Sequence, residues 1–178
     1  LPSFDDEAVI CGQGTIALEV MEERSDWDAI IAPIGGGGLL SGIGTAFRAE
    51  SPATKIIGVE TVGMPAMKES LKAGCIQTVG GVRSLADGIM VRTPGKKTYP
   101  ILKEIIDEIE LVSETDIKDA LYFLYGKEKL VVEGAGAVAV AALLKDPNKY
   151  KSKNIVLVVT GGNIDDAQFV EVLQEKTQ

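Results

Sequence analysis

Apolar and polar positions alternate along this chain in two kinds of run. Ala29-Ile30-Ile31-Ala32-Pro33-Ile34 is apolar on both parities, as a strand covered on both faces should be. Lys55–Glu60 (KIIGVE), Glu110-Leu111-Val112 and Ile155–Thr160 (IVLVVT) read as further strands. Between them lie stretches with helical spacing. Gly14-Thr15 leads into one that carries Ile16, Leu18, Val20 and Met21 and ends before Asp26; others are Leu39–Glu50, Pro65–Ala73 and Tyr99–Ile109. Ser113 with Glu114 and Asp116 forms an N-cap and acidic first turn ahead of Ile117, Leu121 and Leu124. Glu133–Leu144 is rich in Ala and Gly and suited to close packing, and Asp165–Gln178 is a final helix. Residues 76–95 form a long loop that includes Ala86-Asp87-Gly88. This alternation predicts an α/β fold: a largely parallel twisted sheet with helices on both faces. With no repeat and no linker, residues 1–178 are expected to form one domain.

Composition narrows the chemistry. The 178 residues, 46% hydrophobic and 25% charged, can bury a core and do not have a disordered composition. Histidine is absent, which removes Ser-His-Asp triads, Cys-His pairs and HExxH zinc sites. Two cysteines, Cys11 and Cys75, make neither a zinc cluster nor a disulfide framework, so a reducing cytoplasm is the expected location. A net charge of -8 argues against nucleic acid as a partner. No apolar run approaches the ~20 residues of a membrane span. The opening Leu1-Pro2-Ser3-Phe4 is no initiator, and a processed product or fragment is expected.

The glycines carry the most specific signal. A strand, then Gly35-Gly36-Gly37-Gly38, then a helix is a phosphate-binding layout: bare backbone lets several N–H groups converge where the helix adds its partial positive charge. A Walker loop is disfavoured, because Ile43-Gly44 stand where Lys-Ser/Thr would follow Gly37 to Gly42. A dinucleotide fingerprint from Gly36 lacks its third glycine at Ser41, yet Glu60 ends the next strand where a ribose-binding carboxylate would sit. On layout alone, dinucleotide binding stays open.

Six segments in order then add up to a family resemblance. They are Phe4-Asp5-Asp6, Gly12-Gln13-Gly14-Thr15, Pro33–Leu39, Leu85-Ala86-Asp87-Gly88, Val132-Glu133-Gly134-Ala135-Gly136 and Thr160-Gly161-Gly162-Asn163. Together they resemble the serine/threonine dehydratases (threonine deaminases) among fold type II pyridoxal-phosphate enzymes, with serine racemase a close relative. The resemblance implies the large-domain fold of that class and pyridoxal 5'-phosphate as cofactor. Gly35, Gly36, Gly37, Gly38 and the Leu39 amide would cradle its phosphate, Gly88 would line the ring pocket, and Thr160 would sit beside the pyridine nitrogen. Glu133 would lie near cofactor and substrate, where a carboxylate influences proton transfers. Each has a plainer reading: Asp87 as a turn residue, Thr160 as a strand-end β-branched residue, Glu133 as a helix-start carboxylate. Relatives hold a monovalent or divalent cation at the position of Glu60 and the Met64 carbonyl; Ala66 replaces a racemase aspartate there, which disfavours a magnesium site. The plainer reading of Glu60 is a solvated strand-end charge.

One part of the family pattern is absent. No Ser-x-Lys-x-Arg segment, which carries the Schiff-base lysine, occurs in the chain. The chain therefore resembles the C-terminal half of such an enzyme and is expected to be inactive without the missing N-terminal half. For the complete enzyme the resemblance implies conversion of L-threonine or L-serine to 2-oxobutanoate or pyruvate and ammonia, in a homo-oligomer. A racemase, a non-catalytic phosphate-binding module and a dinucleotide-dependent oxidoreductase are the alternatives.

Overall fold

The computed structural model describes residues 3–177. Strands β1 (Ala29–Pro33), β2 (Lys55–Thr61), β3 (Glu108–Val112) and β4 (Ile155–Leu157) form one sheet in the order β3-β2-β1-β4. Each neighbouring pair is parallel. The helices are α1 (Glu7–Glu23), α2 (Gly38–Glu50), α3 (Ala66–Ala73), α4 (Thr98–Ile105), α5 (Glu114–Phe123), α6 (Gly134–Lys145) and α7 (Asp166–Thr177). This is an α/β fold. The chain lays down β1, β2 and β3 in one direction across the sheet, then returns to place β4 on the far side of β1. That reversal opens a crevice beyond the carboxyl ends of β1 and β4, where ligands bind in open parallel sheets.

Strand alternation sorts the core onto two faces. Ile30, Ala32, Ile34 and Ile56 pack with Ala17 of α1, Ile43 and Phe47 of α2, Met67 of α3 and Leu102 of α4. Ala29, Ile31, Ile57 and Val59 pack with Ile117 and Leu121 of α5, the Ala- and Val-rich α6, and Val172 of α7. Because β1 feeds both layers, all five of its residues are buried.

Several element boundaries differ from the sequence expectation, each for a local reason. Helix α1 starts at Glu7, well before Gly14, because the Asp6 carboxylate caps it by accepting the Ala8 amide at 2.9 Å. Of its two interior glycines Gly14 serves packing, since a Cβ there would stand 3.3 Å from the Gly42 carbonyl oxygen. Helix α4 stops at Ile105, four residues short of the expected Ile109. Asp107 there turns to Arg48 and accepts the Ile56 amide at 2.7 Å, so the chain enters β3 at Glu108 instead of Glu110. Leu124 lies beyond α5, in a π-type turn over Leu124–Glu128. Strand β4 pairs over Ile155–Leu157, with one more bond from Val158 N to Ile31 O (2.9 Å), and does not reach Thr160. Residues beyond it peel away towards the start of α6, where Gly161 O accepts the Glu133 amide at 3.2 Å.

The α1–α2 crossing is a backbone contact, because a Cβ at Gly42 would overlap the Ile10 carbonyl oxygen. Gly42→Ala should therefore cost about 1–3 kcal/mol as overpacking. Gly12, on the exposed side of α1 with nothing near its missing side chain, should behave oppositely. Gly12→Ala should stabilise the fold by up to about 1 kcal/mol through helix propensity. Urea unfolding of both variants checks the pair.

Candidate active site

The carboxyl end of β1 runs straight into the glycines. The amides of Gly35, Gly36, Gly37, Gly38 and Leu39 make no hydrogen bond among the described residues. The carbonyls are turned to other partners: Gly37 O accepts the Ser41 amide at 2.9 Å, and Gly36 O accepts both the Gly95 amide at 3.2 Å and the Thr98 hydroxyl at 2.5 Å. Two positions demand glycine. Gly37 has φ 98°, and a Cβ there would lie 2.9 Å from Thr98 Cβ. At Gly36 a Cβ would overlap the Phe4 ring. The result is a row of unpaired donors at the N-terminus of α2, which is an anion-binding arrangement.

A cavity of about 360 Å³ sits on this row, within the usual size of a small-ligand pocket. It brings together Gly35, Gly36, Gly37, Gly38, Leu39, Gly88, Glu133 and Thr160, residues that lie up to 125 positions apart (160 − 35). Glu133 precedes α6, and its carboxylate lies between the bare α-carbons of Gly88 and Gly161 without a hydrogen-bond donor among the described residues. Thr160 is held against the same helix: a Cβ at Gly136 would overlap the Thr160 carbonyl oxygen, so only glycine admits it. Gly88 and Ile89 supply the opposite wall from the 3-10 turn Asp87–Ile89. Asp87 is exposed and does not line this cavity. Among the described residues, Glu133 is the one charged side chain in the lining, and no lysine contributes to it.

Glu60 and Met64 lie elsewhere. Glu60 is 1% exposed, not a solvated strand-end charge, and both its oxygens serve α3: Oε1 accepts the Met67 amide at 2.8 Å and Oε2 the Lys68 amide at 2.9 Å. The Met64 carbonyl accepts the Ala66 amide at 3.0 Å. Among the described residues, no cluster of three or more Asp, Glu, Cys or His side chains is placed to hold a metal ion.

Phe4-Asp5-Asp6, which the sequence marks only as a family motif, has work in the site. Phe4 covers Gly36 and lines the cavity, while Asp5 accepts the amides of Lys96 (2.9 Å), Lys97 (2.8 Å) and Thr98 (3.3 Å). Thr98 was assigned no part at all. Only its buried position beside the glycines, 62 residues away in sequence, shows its connection.

Residues 1–161 match the family described as pyridoxal-phosphate dependent enzyme. An L-threonine ammonia-lyase of Thermotoga maritima is 47% identical over 162 residues, which are 91% of this chain and 40% of that protein. The catabolic L-threonine dehydratase TdcB of Escherichia coli is 44% identical over 97% of this chain and 53% of its own length. A solved structure, the processed form of threonine deaminase isoform 2 from Solanum lycopersicum, superposes with a TM-score of 0.92 at 38% identity. That match covers 98% of this chain and 51% of the tomato protein. The chain thus spans about half the length of the relatives it matches.

Burial raises the Glu60 carboxyl from 4.5 to about 7, against the opposing pull of the two α3 amides and Lys68. Between pH 4.5 and 7 the folded chain then keeps a proton that the unfolded chain releases, so stability must fall as pH rises through that window. The shift corresponds to roughly 3 kcal/mol. Glu60→Gln should flatten that part of the profile. Unfolding free energies of both proteins across the window are the measurement; parallel profiles would refute the assignment.

Proposed function

The chain belongs to the pyridoxal-phosphate dependent enzymes, and from that membership we propose that it is the cofactor-holding part of an L-threonine ammonia-lyase. The enzyme it serves converts L-threonine, or L-serine as a second substrate, to a 2-oxo acid and ammonia. Membership sets aside the dinucleotide alternative. The observation that carries the proposal is the row of unpaired amides from Gly35 to Leu39 in one cavity with Glu133 and Thr160. A phosphate ester fits that row, because each unpaired donor needs an acceptor and the close neighbours Phe4 and Thr98 exclude side chains at Gly36, Gly37 and Gly38.

Bound pyridoxal phosphate supplies an electron sink that acidifies the Cα–H of an amino acid joined to it. The residues of this chain do the holding. Gly35, Gly36, Gly37, Gly38 and Leu39 donate to the phosphate. The Thr160 hydroxyl would serve the ring nitrogen as a neutral partner. Gly88 would leave room for the ring at its wall, and Glu133 would offer a proton-accepting carboxylate in the same cavity. The amine that takes the substrate's Cα proton comes from the part of the relatives that this chain does not span. A cation at Glu60 and Met64 forms no part of the proposal, since the fold already uses their oxygens. Cys11 and Cys75 are free and exposed, in keeping with a cytoplasmic enzyme. No helix among the described residues is long and apolar enough to cross a membrane.

The test is co-expression with the complementary segment of the Thermotoga relative, followed by a keto-acid assay. L-Threonine should yield 2-oxobutanoate only when both polypeptides are present. A complex that binds the cofactor but only racemises L-serine would sink the lyase assignment. Gly37→Asp should weaken phosphate binding on the order of a thousandfold, since two charges about 4 Å apart repel by about 4 kcal/mol at an effective dielectric of 20. Thr160→Ala in the assembled enzyme should retain the cofactor and lower kcat; unchanged kcat would refute its ring-nitrogen role.

A further inference from the structure

A carbonyl oxygen held out of an anion's path matters as much to a phosphate cradle as the amides held in it. Peptide groups flanked by glycine rotate easily, and a half-turn of the Gly36–Gly37 peptide would present an oxygen to the ligand in place of an N–H. The structure restrains that peptide at one atom. Gly36 O takes the Thr98 hydroxyl at 2.5 Å and the Gly95 amide at 3.2 Å. Thr98 is fully buried, and its Cβ is the nearest neighbour of the missing Gly37 side chain. The segment that carries both donors is itself pinned, because the Asp5 carboxylate accepts the amides of Lys96, Lys97 and Thr98 at the start of α4.

We propose that Thr98 is a positioning residue for the phosphate cradle: its hydroxyl locks the Gly36 carbonyl away from the cavity, and Asp5 locks Thr98. Neither residue lines the cavity, so both act through the glycine backbone. The inference rests on the reading of that cavity as a phosphate site. It adds a control point in α4, well outside the glycine motif.

Inorganic phosphate is the probe, titrated into the 178-residue chain while the backbone amides of Gly35 to Leu39 are followed by NMR. Thr98→Val keeps the shape and removes the donor; it should weaken phosphate about tenfold, the effect of losing the shorter of the two hydrogen bonds that hold the Gly36 carbonyl. Thr98→Ser keeps the donor and should stay within about twofold of wild type. Should valine prevent folding, Thr98→Ala, which only removes atoms, takes its place and should show the same loss. Wild-type affinity in Thr98→Val or Thr98→Ala overturns the role of Thr98. Equal losses in Thr98→Ser and Thr98→Val also overturn it, since they would mark packing and not the hydroxyl. A wild-type chain blind to phosphate would instead sink the reading of the cavity.

Discussion

A helix that begins where a buried strand ends leaves its first amides without carbonyl acceptors. In this chain that happens at Gly35 to Leu39, at the reversal of strand order between β1 and β4, and the surrounding structure is arranged about it. The neighbouring carbonyls are drawn aside by Ser41, Gly95 and Thr98. The loop is sandwiched between Phe4 and Thr98, which leaves no room for side chains. The amides can only be satisfied from the cavity side. The row of free donors is thus a consequence of topology and sterics.

Helix α6 completes the cavity by a related device. It is buried over Gly134 to Ala142 and built from small residues, so neighbouring backbone can approach it directly. Gly136 admits the Thr160 carbonyl. Glu133, just ahead of the helix, is fixed by its amide bond to Gly161 O (3.2 Å), which ties the β4 exit to the α6 entry. Two strand exits and one helix entry are thereby held within a single small volume by main-chain contacts, and the polar side chains attached to them inherit that placement.

Local patterns made much of this legible in advance. The double-parity run of β1 and the glycines that abut it are neighbours in sequence, and Ser113 is the N-cap its position predicts, closed by Asp116 into a capping box. Glu133 and Thr160 could be joined to the glycines only through the order of family motifs, since no periodicity links segments so far apart. Features that depend on tertiary contact were misread or missed. Gly14-Thr15 reads in sequence as the lead into a helix, whereas the capping of α1 by Asp6 starts it at Glu7 and Gly14 lies within it beside Gly42. Glu60 is recognisable as a strand-end carboxylate, but its task depends on where α3 places the amides of Met67 and Lys68. Thr98 looks like an ordinary helix start until the fold sets it against Gly36.

If the cavity takes the proposed phosphate, the absence of cationic side chains from its lining among the described residues would shape the kinetics of capture. Peptide dipoles attract an anion only over about a helical turn, whereas a chain of net charge -8 repels it over the much longer reach of its overall field. An incoming phosphate would therefore climb an electrostatic barrier before it met the amides, and a departing one would first have to give them up. Added salt screens the outer repulsion far more than the inner contacts. Entry through this chain's field should thus quicken with ionic strength, the reverse of what a lysine- or arginine-lined phosphate pocket would show.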